Sequence, residues 1–205
     1  TPESEMANPM DFYFDYSSPY GYLAAMKIDD LAARHGRSVN WKPILLGAVF
    51  KVTGAQPLPM LPLKGDYAKR DFARSARFLG IPFKYPSRLP IASQAPSRAF
   101  YWLHDRDPGL ANRLAKTLYQ AYFVEDRDIS SPEITSDVAS TLGLKRDDVF
   151  AAINDPAVKD RLRNEVDAAI RLGVFGSPYI VIDGEPFWGV DRFDQIERWL
   201  GSGPF

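Results

Sequence analysis

Two segments far apart in this chain each carry a strand-like run beside a proline, and they constrain its fold more than any other feature. Near the N-terminus the aromatic, strand-like run Asp11 to Tyr16 leads into Ser18-Pro19-Tyr20-Gly21 and then a helical apolar pattern. Far downstream, Gly176-Ser177-Pro178 precedes a second strand-like run, Tyr179-Ile180-Val181-Ile182. A helix start fed directly by a strand is the setting in which a Cys-x-x-Cys redox pair would sit. Here those two positions hold Ser18 and Gly21, and the 205 residues include no cysteine. The helix start is kept without a thiol, so redox chemistry by the chain's own cysteines is excluded.

The rest of the chain supplies the α/β frame. Ser18 is a natural N-cap, and Pro19 sits at the first helical position, where its missing N–H costs nothing. Leu23, Met26, Ile28 and Leu31 give an apolar face, so one helix is expected from Pro19 to Arg34, stopped at Gly36. Ser38 to Trp41, extending towards Ile44, reads as a second strand, and strand–helix–strand at this spacing makes the two strands parallel. From Leu45 the pattern changes. Residues 54–65 carry Pro57, Pro59 and Pro62 and read as irregular. Helices are expected over Asp66–Leu79, Ser97–Arg106, Leu110–Val124, Pro132–Leu142, Asp147–Ile153 and Pro156–Leu172. Pro178–Ile182 and Glu185–Trp188 read as a hairpin about Asp183-Gly184, and Arg192–Leu200 as a last helix. Residues 10–45 and 156–201 thus form one expected domain, and residues 46–155 an all-helical insertion. Residues 1–9, polar and proline-punctuated, are expected to be poorly ordered.

Composition excludes several function classes. The formal net charge is −1 and no basic run occurs, so a nucleic-acid partner is not expected. No apolar run reaches the ~18 residues of a membrane span, so neither is a membrane. The N-terminal residues lack a basic-then-apolar leader, and the lack of cysteine fits a reducing compartment, so a cytoplasmic location is expected. His35 and His104 are the only histidines, and without cysteine no metal site is expected. Asp11 and Asp15 read as structural rather than as an acid/base pair.

Four segments carry a family resemblance: DFYFDYSSPYGYLA (11–24), WKPILLGAVFKVTG (41–54), Leu63-Lys64-Gly65-Asp66-Tyr67, and GVFGSPYIVIDGEPFWGVDR (173–192). Through them the chain resembles the thioredoxin-fold group of DsbA-like oxidoreductases, kappa-class glutathione transferases and 2-hydroxychromene-2-carboxylate isomerases, the last most of all. That resemblance implies a thioredoxin-like fold with a helical insertion, glutathione as cofactor and a homodimer. It also implies interconversion of 2-hydroxychromene-2-carboxylate and trans-o-hydroxybenzylidenepyruvate, a small aromatic keto acid of naphthalene-type catabolism. A kappa-like transferase is the alternative enzyme, and a non-catalytic binding module the alternative outside catalysis. One departure stands out. Relatives commonly read Gly-Asn-x-Pro where this chain reads Gly54-Ala55-Gln56-Pro57, so the asparagine contact to glutathione is missing, with Gln56 as the nearest amide.

The resemblance also assigns roles. Ser18 would donate to the glutathione sulfur; on its residues alone it reads equally as a plain N-cap serine. Ser17 is its neighbour and competitor, and the Ser-Pro register favours Ser18. Pro178 would be a cis proline that turns the backbone of Ser177 outward to pair with the cysteinyl backbone of glutathione; its plainer reading is a proline that starts a strand. Asp191 would meet the γ-glutamyl amino group, or merely complement a helix dipole. Lys64 would meet a glutathione carboxylate, or be a solvated lysine. Several aromatics, among them Trp41, Tyr85, Tyr101 and Tyr119, are divided by the sequence between pocket wall and core without being sorted.

Overall fold

β1 (Met10–Phe14) is the strand around which everything else is arranged. Its alternation sends Met10, Phe12 and Phe14 into the main core and Tyr13 into a smaller cluster on the opposite face. Both faces are therefore covered at Tyr13, while Asp11, on the same face as Tyr13, stays partly exposed. β2 (Val39–Pro43) pairs parallel to β1 with Phe12 opposite Trp41. β3 (Tyr179–Ile182) pairs antiparallel on the other side with Phe12 opposite Ile180, and β4 (Glu185–Trp188) extends the sheet, giving the order β2-β1-β3-β4. Asp183 and Gly184, both at positive φ (50° and 87°), make the tight hairpin turn expected of an Asp-Gly pair. Pro186 lies on the edge strand, where a residue without an N–H blunts unwanted pairing.

The computed structural model describes residues 7–205. Of the stretch 1–9, residues 1–6 lie outside the described residues, and Asn8 is tied by its carbonyl to Arg37 (2.8 Å).

Ten helices complete the described fold. The single helix expected from Pro19 to Arg34 is two, α1 (Pro19–Ala25) and α2 (Ile28–Arg34). Lys27 donates to Ala24 (3.0 Å) rather than one residue further back, a tightened last turn that ends α1. Ile28 and Leu31 of α2 are both buried in the core. α3 (Leu46–Thr53) went unread because LGAVFKVT is rich in β-branched and aromatic residues, and burial of Val49 overrides that preference. The irregular stretch after it contains one 3-10 turn, Leu58–Met60. α4 (Lys64–Leu79), α5 (Gln94–His104), α6 (Pro108–Phe123), α7 (Pro132–Ser140), α8 (Arg146–Asn154), α9 (Pro156–Leu172) and α10 (Phe193–Ser202) follow the expected order, with ends shifted by a few residues. The main core runs without a break from Phe12, Phe14 and Trp41 into Leu118, Tyr119 and Phe123 of α6. Burying one such phenylalanine is worth about 1.5–3 kcal/mol. Among the described residues no helix is long and apolar enough to cross a membrane.

α10 is fastened to α2 by Glu197, which accepts from Arg34 (2.8 Å) and pairs with His35 (2.8 Å). Arg34 first, then His35, pulls the Glu197 carboxyl down from 4.5 to about 2. A depressed carboxyl stabilises the fold above its unfolded value and loses that contribution as pH falls towards the folded one. The melting temperature is therefore expected to drop as pH falls from about 4.5 to about 2, and to drop less in Glu197→Gln. Equal slopes in the two proteins would rule the pair out as the cause.

Candidate functional site

The C-terminal end of β1, the start of α1 and the start of β3 meet at one point because β3 runs antiparallel to β1. Ser18 sits there as the N-cap of α1, with extended backbone (φ −92°, ψ 116°) and 8% exposure. Its Oγ accepts from the Gly21 N–H (3.0 Å), and its hydroxyl donates to the carbonyl of Ser177 (3.1 Å). The Ser177–Pro178 peptide is cis. Ser177 is held from its other side, its Oγ accepting from the Asp15 N–H (3.0 Å). Among the described residues its own N–H has no acceptor. Two polar groups of Ser177 and one of Ser18 thus lie at a single spot, half-open to solvent at Ser177.

The bonding pattern changes what each group is free to do. α1 has seven residues, and its Gly21 amide is already taken by Ser18, so the helix start has little left to offer an anion. The hydroxyl hydrogen of Ser18 is the adjustable donor. It is spent on Ser177 and must turn away to serve any ligand.

Gly21 is fixed by space rather than by backbone conformation. A β-carbon there would lie 2.6 Å from Ser177 Oγ and 2.7 Å from Tyr119 Oη. Neither atom can retreat cheaply. Ser177 Oγ is bound to Asp15, and the fully buried Tyr119 donates to the Asp15 carbonyl (2.7 Å). Tyr119 is therefore a wall of the site, which the sequence could not sort from the core.

Tyr20, next in the Ser-Pro-Tyr-Gly turn, donates its hydroxyl to Asp71 of α4, and Arg74 donates to the same carboxylate (2.7 Å). Burial pulls the Asp71 carboxyl up, but the bonds from Tyr20 and Arg74 outweigh it and hold it below the usual range. Burial, then Asp71, pushes the Tyr20 phenol far up, so it stays protonated. This bridge fixes α4 beside α1. Asp191 lies on the 3-10 turn Val190–Arg192, which packs against α1, and its charge is felt at Tyr20. Lys64 opens α4 behind an unusual turn. Leu63, 91% exposed, has φ 64° and ψ −55°, and Lys64 N–H bonds back to Pro62 (2.7 Å). A γ-turn of this hand is rare and strained for a residue with a β-carbon. No hydrogen bond joins Lys64 or Asp191 to the Ser18 cluster among the described residues. Ala55 and Gln56 are exposed on the loop after α3.

Comparison with known proteins matches residues 10–201 to the DSBA-like thioredoxin domain model. Over 95% of this chain and 92% of its own length, a Caenorhabditis elegans protein named glutathione S-transferase kappa 2 is 30% identical. A Pseudomonas putida protein named 2-hydroxychromene-2-carboxylate isomerase is 29% identical over 94% of each chain. Among solved structures, one of a 2-hydroxychromene-2-carboxylate isomerase superimposes with a TM-score of 0.85 at 28% identity, covering 94% of both chains. The β1–α–β2 start, the helices inserted after it and the α9–β3–β4–α10 return agree with that neighbour's fold, and the chain belongs to the DSBA-like thioredoxin domain family.

Proposed function

We propose that this protein is a glutathione-dependent isomerase that interconverts 2-hydroxychromene-2-carboxylate and trans-o-hydroxybenzylidenepyruvate. The observation that carries the reading is the Ser18 hydroxyl, poised against Ser177 in a site with no thiol of its own. The donor set suits a thiolate ligand held along an extended backbone: one rotatable O–H, one unpaired N–H and one carbonyl, all at Ser18 and Ser177. When bound, glutathione would supply a thiolate that adds to the unsaturated keto acid and leaves again, so nothing is oxidised or reduced overall.

The residues of this chain do the rest. Ser18 turns its O–H from the Ser177 carbonyl to the sulfur, which frees that carbonyl to accept an amide of the ligand. A hydrogen bond to a charged group is worth about 1.5–3 kcal/mol, or about one to two pH units on a thiol that ordinarily titrates near ~8.5. That brings the thiolate to the majority form near neutrality without help from α1. Lys64 and Asp191 take the charged ends of the tripeptide, a carboxylate and the γ-glutamyl amino group. The exposed, strained turn at Leu63 sets where Lys64 begins. The same reading carries a cytoplasmic homodimer, with residues 10–45 and 156–201 as the thiol-binding domain and 46–155 as its helical cover. A kappa-type transferase stays the second reading, since a relative of that name is as similar as the isomerases.

One assay separates the readings. Protein, glutathione and trans-o-hydroxybenzylidenepyruvate are mixed and the ultraviolet absorbance is followed. Equilibration that requires glutathione and consumes none of it is the expected result. Stoichiometric loss of glutathione makes the protein a transferase, and no change at all sinks both.

A further inference from the structure

Asp15 is the only charged residue buried among the described residues, and the mechanism above makes no use of it. Burial raises its carboxyl against three hydrogen bonds that lower it. Those bonds come from three different segments. Oδ1 accepts from the Ser17 N–H (2.8 Å) and the Ser93 hydroxyl (2.7 Å), and Oδ2 accepts from the Leu46 N–H (2.8 Å). The backbone of the same residue is as fully engaged. Its N–H holds Ser177 Oγ (3.0 Å), and its carbonyl accepts from Ser18 N–H (2.9 Å) and from Tyr119 (2.7 Å). Six hydrogen bonds thus tie both halves of the thiol site to the starts of α3 and α5 and to α6.

Local preferences are given up to build this knot. Leu46 is the first residue of α3, whose own N-cap, Leu45, has no side-chain oxygen; the cap comes from Asp15, just beyond the end of β1. Ser93 is the N-cap of α5, yet it makes no side-chain cap bond to that helix and turns its hydroxyl to Asp15. Ser17, bound through its N–H, in turn accepts from Ile91 with its Oγ (3.0 Å), extending the tie to the segment before α5. A fold that sought stability alone would cap each helix locally and place an apolar residue at this position. Places where local rules yield in this way are where function is expected.

We propose that Asp15 is the positioning residue of the thiol site. It holds Ser18 and Ser177 at the separation from which the Ser18 hydroxyl can swing between the Ser177 carbonyl and a bound thiolate. The inference rests on the glutathione reading above. The other ionisable groups turned towards Asp15 are the phenols of Tyr16, and of Tyr119 and Tyr122 on α6.

The test reads the titration of bound glutathione by thiolate absorbance, together with its affinity by calorimetry, in wild type, Asp15→Asn and Ser93→Ala. An asparagine would present an N–H₂ to one of the three donors, so the knot loosens without losing volume. The expected result for folded Asp15→Asn is a bound thiol that titrates about one unit higher, tenfold less thiolate at a given pH below both values, with weaker binding. A wild-type titration in that variant overturns the proposal. So does a downward shift, which is what deleting a buried negative charge alone would give. Should Asp15→Asn not fold, Ser93→Ala decides, because it removes one donor and leaves both backbone bonds. It is expected to shift the thiol in the same direction by about half as much, and an unshifted Ser93→Ala overturns the proposal. Wild-type protein that takes up no glutathione brings down the functional reading itself. Wild-type binding with unchanged variants brings down the role of Asp15 alone.

Discussion

Gly21→Ala is expected to lower the melting temperature by about 6–12 °C and to abolish glutathione binding. The added methyl would stand 2.6 Å from Ser177 Oγ and 2.7 Å from Tyr119 Oη, inside contact distance of both. Overpacking of a closed site costs about 1–3 kcal/mol, and pushing either oxygen away breaks a bond to Asp15 worth about 1 kcal/mol. A total near 3 kcal/mol converts to the stated shift at about 2–4 °C per kcal/mol for a chain of this size. Thermal unfolding by circular dichroism measures it, and a shift under about 2 °C would mean that the site is softer than its geometry. The same crowding forbids an easy return to redox chemistry. Ser18→Cys combined with Gly21→Cys is expected to fold worse than Ser18→Cys alone, because the second sulfur has even less room than a methyl.

Removing the Ser18 hydroxyl is expected to have the largest effect on activity. Ser18→Ala loses the donor to the thiolate, so its bound thiol titrates about one to two units higher. At neutral pH the rate falls by about eightfold to twenty-five-fold, widening to about tenfold to a hundredfold at a pH below both titrations. The sign of the pH dependence is fixed: the defect is widest below the wild-type thiol's titration and shrinks as pH rises past that of the variant, where both thiols are ionised. A pH profile of kcat/KM reads this directly, and parallel profiles with a constant gap would remove thiolate stabilisation as the role of Ser18. The variant also frees the Gly21 N–H and the Ser177 carbonyl, a stability loss of about 1–2 kcal/mol. That loss is small enough for the assay to be run on folded protein.

How much of this the sequence discloses follows from what each interaction depends on. Strand β1, the Asp-Gly hairpin and α9 are legible because period, turn residues and caps are local properties. The pairing of Ser18 with Ser177 is legible only through the resemblance, since nothing in either segment names the other. The break between α1 and α2 is not legible, because Ile28 and Leu31 continue the apolar pattern of α1 and no glycine or proline marks the boundary. α3 was hidden because its residues favour strands in isolation. Asp15 reads as structural, and an acidic residue between Phe14 and Tyr16 in an aromatic run is the one signal in the sequence that marks it. Gly21 reads only as a missing cysteine until Tyr119 is placed beside it.

The joining of Asp15 to residues 46, 93, 119 and 177 has a consequence for how the protein comes into being. Synthesis runs from the N-terminus, so Asp15 and Ser18 are made well before Ser177, which follows Asp15 by 162 residues. Until then Asp15 lacks a tie that sets the geometry of the pocket. No incomplete or partly unfolded chain can hold a ligand across Ser18 and Ser177. Whatever binds there binds only the finished molecule, so its presence pulls the folding equilibrium towards completion by mass action and discriminates, among newly made chains, those that have closed from those that have not.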